Sequence, residues 1–312
     1  MVAAYRTFDS VLLTGRFDAP LIQLLPKSWR FLAHCGAGYD QIDAQACSAR
    51  DPPLLVSNVL SATEDTTADT AIFLMLGALR NFTTPMNTVR QGAWRGAVLP
   101  PIGRDPRGKV LGILGMGGIG RNMKIKAEAF GMTTIYHNRH RLDPVLADGA
   151  EYVSFEDLLR RSDVLSLNLP LNPQTRHVIS TEQFRMMKPS AVLVNTARGA
   201  VIDEAALVDA LDRGVIAAAG LDVFEEEPKI HPGLLESSRV MLLPHMGTWT
   251  TETQVSAQIL NICLGLFQFY RRITDLLDIY RREWKSGRLT TSERQWRRGN
   301  SCHRLSNSES CN

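Results

Sequence analysis

The sequence predicts an α/β protein: a doubly wound parallel sheet of the Rossmann type, preceded by a smaller unit of the same class. Three observations carry this. After residue 103, short apolar runs alternate with helical stretches, as when buried strands are joined by helices on both faces of a sheet. One strand-to-helix junction is glycine-rich, G-M-G-G-I-G at 115–120. The stretch Leu99-Pro100-Pro101-Ile102-Gly103 breaks the pattern and marks a candidate hinge.

The elements follow in order. Phe31–His34 is a short strand running into the loop Cys35-Gly36-Ala37-Gly38-Tyr39-Asp40, and Leu54–Ser57 is the next strand. A long helix is expected over 65–81, with Ala68, Ile72, Met75, Leu76 and Leu79 on one face. Glu64, Asp65 and Asp69 in its first turn suit the positive end of a helix dipole. Past the hinge, strand Val110–Leu114 leads through the glycine turn into helix Ile119–Phe130. Strand Thr133–His137, a short helix, Tyr152–Ser154 and helix Phe155–Arg161 come next. Strands Val164–Leu169 and Ala191–Asn195 precede helix Asp203–Arg213, and strands Ala217–Asp222 and Val240–Leu243 close the series. The expected divisions are a first unit at 1–98, the doubly wound unit at 99–243, a returning helical segment at 244–285 and a polar, disordered tail at 286–312.

Composition narrows the function classes. The chain has 312 residues, 44% apolar and 21% charged, which suits a globular protein with a real core. No apolar run approaches the roughly 20 residues of a bilayer-spanning helix, so no membrane partner is expected. The net charge of +3 hides an uneven distribution. Residues 271–312 hold ten Lys/Arg and five Asp/Glu, leaving the body at 25 − 27 = −2. A mildly acidic body argues against a nucleic-acid partner, and the basic end reads as a solvated tail. The five cysteines are odd in number and form no CxxC pair, which fits a reducing, cytoplasmic setting and no metal.

The chemistry sits at strand ends. Gly115, Met116, Gly117, Gly118, Ile119 and Gly120 fit G-x-G-x-x-G between a strand and a helix, the context that makes this string a dinucleotide fingerprint. Gly115 permits the tight turn, Gly117 lets a pyrophosphate approach the backbone, and Gly120 lets helix and strand pack closely. The helix start offers free N–H groups to the anion. At the end of the next strand an NAD site would carry an acid, yet here stand Asn138 and Arg139, followed by Arg141. Those residues favour a 2′-phosphate, so NADP(H) is preferred over NAD(H), which stays possible. Beyond three further strands lie Arg198, the acid run Glu225-Glu226-Glu227 after Asp222, and His245. Each alone is an ordinary loop residue; together at one sheet edge they form an acid–base constellation.

These strings resemble the D-isomer-specific 2-hydroxyacid dehydrogenase family over about residues 4–255: CGAGYDQID, TADTAIFLMLGALRN, RQGAWRG, GILGMGGIGRN, NTARGAVIDEAALVDAL, GLDVFEEEP and PHMGT. The resemblance implies a flavodoxin-like substrate domain, truncated at its start here, beside the Rossmann domain. It implies reduction of a small 2-oxo acid, such as glyoxylate or hydroxypyruvate, to the D-2-hydroxy acid, and a homodimer. It assigns Arg198 to the substrate carboxylate and keto oxygen, His245 to proton transfer and Glu227 to the carboxylate beside it. Ala37 and Gly38 would offer backbone N–H groups to the substrate. Asp222 would lie near the nicotinamide amide, and Leu169, Pro170, Thr196, Ala197 and Gly247 would line the coenzyme cleft. After about Gln254 the likeness fades, although Ile259, Ile262, Leu266, Phe269 and Ile273 keep a helical spacing. Two other readings stay open: a dinucleotide-sensing binding protein on the same fold, and an inactive truncated relative.

Overall fold

The structure, a computed structural model, describes residues 3–59, 61–95, 99 and 101–256. The expected tail at 286–312 and most of the returning helix lie outside the described residues; a helix does begin at Thr251.

The first segment runs β1 (Ala3–Thr7), α1 (Val11–Thr14), α2 (Ala19–Leu24), β2 (Phe31–Cys35), α3 (Ala44–Ala49) and β3 (Leu55–Asn58). Its strands form a parallel three-stranded sheet in the order β1-β2-β3. Phe17, Ile22, Leu32, Ile42, Cys47 and Leu54 make its core. Aspartates start two of these helices: Asp18 accepts the Leu21 N–H and Asp43 the Ala46 N–H, satisfying donors that a helix leaves free. Strand β1 was not foreseen. Its sequence, AAYRT, offers neither an apolar run nor clean alternation, because the buried position is an arginine: Arg6 hydrogen-bonds Gln41 and Ser10 and lies over the Phe17 ring.

Two helices follow, α4 (Ser61–Leu79) and α5 (Thr83–Arg90). The seven-stranded sheet is then built from β4 (Val110–Leu114), α6 (Gly118–Ala129), β5 (Thr133–His137), α7 (Pro144–Ala147), β6 (Glu151–Tyr152), α8 (Phe155–Arg161) and β7 (Val164–Leu167). It continues through α9 (Thr181–Met186), β8 (Val192–Asn195), α10 (Glu204–Asp212), β9 (Ala218–Leu221), α11 (Pro232–Glu236) and β10 (Val240–Leu242). All pairings are parallel, in the order β10-β9-β8-β7-β4-β5-β6. The order reverses between β4 and β7, so the cleft beyond their C-terminal ends is the switch point where such sheets bind ligands. Strands β7, β8 and β9 are buried at every position, which explains their largely apolar sequences, broken only by Ser166 and Asn195.

Helix α4 differs from the expectation in an instructive way. It begins at Ser61, and it buries Ala71, Leu74 and Gly77 as well as the single expected face. The cause is its position, wedged between α6 and strands β8–β10, so that apolar contact covers more than one face while Asp65, Asp69 and Phe73 stay exposed. Gly220 of β9 approaches so closely that a Cβ there would lie 2.8 Å from Leu74 Cβ. Lys126 of α6 reaches back to Asp65 and Asp69 at 2.9 and 2.8 Å. A helix that precedes the hinge in sequence therefore covers the larger sheet.

Candidate active site at the switch point

The glycine turn has the geometry its spacing predicts. Gly115 sits at φ +91°, and a Cβ there would come within 2.8 Å of the Asn168 carbonyl. Gly120 packs against Ile113, where a Cβ would lie 2.9 Å from Cγ2. Gly117, the N-cap of α6, is exposed with no atom within 4 Å of its Cβ position. The approach expected for a pyrophosphate is open there, over the free N–H groups of the helix start. Two buried polar atoms beside this cleft have no partner among the described residues: Thr196 Oγ1 and Asn168 Oδ1. An open backbone approach, a helix start and unspent polar atoms suit a dinucleotide.

The flanking positions are more varied. Met116 faces the core, and its N–H donates to Asn138 Oδ1 at 2.6 Å. Asn138 thus braces the glycine turn, while Arg139 stands exposed at the end of β5. Ile119 is half-buried in the first turn of α6. Strand β7 ends at Leu167, so Leu169 and Pro170 belong to the loop beyond it, with the Pro170 carbonyl taking the Thr175 hydroxyl. Leu169 packs on Gly115.

Beyond β8, Asn195 shapes the turn that carries Arg198. Its Oδ1 accepts the Ala197 N–H, and its Nδ2 donates to the Arg198 carbonyl. The Arg198 guanidinium donates through Nη1 to the Ala197 carbonyl at 2.7 Å and through Nε to Asp40 Oδ1 at 2.8 Å. Its Nη2 lies against Gly38, where a side chain would collide with it. The loop after β2 is fixed from beneath: His34 Nε2 bonds the Gly38 carbonyl, and Asn58 donates to the Ala37 carbonyl. The predicted substrate loop and the predicted arginine therefore meet.

Glu227 and His245 also meet. Glu227 Oε1 accepts the Phe224 N–H at 2.9 Å, and Oε2 accepts from His245 Nδ1 at 2.8 Å. Burial pushes the Glu227 carboxyl up, but His245, the Phe224 amide and Arg198 together hold it below the usual range. Because Nδ1 serves the carboxylate, Nε2 is the ring nitrogen left for other chemistry. Asp222 is buried and clamps the loop that bears His245, accepting the Met246 and Gly247 N–H groups at 2.6 and 2.8 Å. Burial raises its pKa, with those two amides opposing. His245 itself adopts φ +56°, a left-handed conformation uncommon for a side-chain-bearing residue.

Two residues of this site were absent from the expectation. Asp40 is the carboxylate partner of Arg198. Phe8, just past β1, packs its ring at a tilt, 4.7 Å from the His245 ring and 5.3 Å from Arg198 Cζ. Arg198 and His245 therefore meet at one phenyl group, with Glu227 bonded to the imidazole. Asp40 sits inside the quoted string CGAGYDQID and could have been read as a counter-charge; Phe8 gave no signal, since β1 itself went unread.

A parallel sheet with a glycine turn at its switch point, facing an arginine and a carboxylate–imidazole pair, defines a dinucleotide-binding protein equipped for acid–base chemistry. The model of one family, described as D-isomer specific 2-hydroxyacid dehydrogenase, NAD binding domain, matches residues 72–247, and the chain belongs to that family. It is 54% identical over 260 residues to 4-methyl-2-oxopentanoate reductase A of Aspergillus oryzae, covering 83% of this chain and 78% of that one. It is 50% identical over 253 residues to glyoxylate reductase 1 of Saccharomyces cerevisiae, covering 80% and 72%. Among solved structures, a glyoxylate reductase from Paecilomyes thermophila superposes with a TM-score of 0.80 at 53% identity, over 83% of this chain and 78% of that one. An NADPH-dependent glyoxylate/hydroxypyruvate reductase from Sinorhizobium meliloti, in complex with NADP and malonate, gives 0.75 at 32%, over 84% and 79%.

Proposed function

We propose that this chain reduces a small 2-oxo acid, such as glyoxylate or hydroxypyruvate, to the D-2-hydroxy acid with NADPH. The observation that carries the reading is the His245–Glu227 pair facing Arg198 across Phe8. The dinucleotide, seated at the glycine turn, supplies the hydride. Arg198 holds the substrate carboxylate with the nitrogen not spent on Asp40 and Ala197, and the Ala37–Gly38 loop backs it. The fixed guanidinium orients the ketone, so that one face meets the coenzyme. His245 Nε2, as imidazolium, gives its proton to the ketone oxygen as charge develops there. Glu227 on Nδ1 keeps the ring aligned and favours that charged form.

Exposed Arg139 supports NADPH over NADH, since a guanidinium pairs with a 2′-phosphate. A cytoplasmic homodimer completes the reading. Free Cys35 and Cys47 suit a reducing compartment, and exposed Val89 and Trp94 offer apolar surface to a second copy.

The test is loss of NADPH absorbance with glyoxylate, hydroxypyruvate and phenylglyoxylate. Turnover is expected, and His245→Gln should slow it by roughly 10²–10⁴-fold, the usual range for a lost general acid. Dinucleotide binding without turnover would replace this reading with a sensor. Full turnover in His245→Gln would remove His245 from the chemistry.

A further inference from the structure

The start of α6 holds a charge that its expected ligand does not need. The Glu64 carboxylate, from the first turn of α4, lies flat against Gly118, so that any Cβ there would collide with both its oxygens and Cδ. Gly118 is the first residue of α6, one step past the open Gly117. The carboxylate therefore occupies the positive end of the very helix that would receive a pyrophosphate. Its neighbours Asp65 and Asp69 both pair with Lys126, whereas Glu64 has no cation in salt-bridge reach among the described residues. Those two ion pairs, with the packing of α4 on α6, keep Glu64 where it is.

We propose that Glu64 is an electrostatic brake on the coenzyme site, weakening dinucleotide binding by standing against the pyrophosphate. It rests on the reading of the glycine turn as the dinucleotide's seat. When the anion arrives, like charges face each other across a few ångströms, and the carboxylate must swing out or be endured. Gly118 leaves room for that movement, since a larger residue would wedge the side chain in place. The consequence is a coenzyme that is held less tightly and released more readily.

The test measures NADPH affinity of the purified chain by quenching of tryptophan fluorescence, with no substrate present. Glu64→Gln keeps the shape and removes the charge. It should bind about three- to tenfold tighter, the size expected for removing one partly solvated like charge. The gain should shrink as salt is raised, and Glu64→Asp, whose charge is retracted, should fall between wild type and Gln. Unchanged or weaker binding in Glu64→Gln, with wild type binding normally, would overturn the brake and leave the coenzyme seat intact. No binding to wild type would overturn the seat, and the brake with it.

Discussion

In the proposed reaction His245 offers Nε2 to the ketone oxygen while Glu227 holds Nδ1. Glu227→Gln preserves a hydrogen bond but loses the charge that favours imidazolium. It should lower turnover by less than loss of His245 does, which steady-state rates with glyoxylate would reveal. Asp40 acts one bond further away, as a positioning residue. Its carboxylate spends the Arg198 Nε, leaving the Nη2 edge toward Gly38. Asp40→Asn should raise KM for the oxo acid more than it lowers kcat, because a guanidinium without its brace still carries charge but no fixed direction. Phe8 lies against both the His245 ring and the Arg198 guanidinium. Phe8→Ala should shift preference from glyoxylate toward bulkier oxo acids, read as a change in the ratio of kcat/KM values.

Helix α4 and strand β9 pack closely at Gly220. Gly220→Ala would place its Cβ at 2.8 Å from Leu74 Cβ and 2.9 Å from the Leu74 carbonyl, with backbone on the far side and nothing to yield. Such overpacking costs about 1–3 kcal/mol, and a denaturant midpoint would register it. The strands of this sheet were legible because burial on both faces leaves mostly apolar residues, as in VLGIL and AVLV. Helix α4 was legible as a helix and not in its placement, since its burial extends well beyond the one face the spacing marks. Strand β1 was invisible because its one buried side chain is Arg6, held by Gln41 and Ser10. The arginine, glutamate and histidine were found at strand ends, where topology limits the possibilities. Phe8 and Asp40 arrive through loops of the other sheet, and pairing across such distances is not written in local pattern.

Across the protein, one buried group sets a stability window. His34 is fully buried beneath the Gly38 loop, and its pKa falls from 6.5 to about 4. Burial is the main cause, with Arg6 and Arg198 adding and the Gly38 carbonyl opposing. The unfolded chain binds a proton near pH 6.5 and the folded chain refuses it until about pH 4, so stability falls as pH drops through that window. The whole loss is about 3 kcal/mol. Asp222, with its raised pKa, works in the opposite direction. The expected result is that unfolding midpoints of His34→Gln vary less between pH 6.5 and pH 4 than those of wild type.

The ion pair between Arg198 and Asp40 joins residues 158 positions apart, one from a loop beyond each sheet. It bears on how such enzymes could be rebuilt by exchange of parts. A chimera that replaces the first sheet with that of a relative would still cradle its coenzyme. It would also inherit an arginine aimed by a stranger, and grip its oxo acid well only where the donor brings a carboxylate to the place of Asp40.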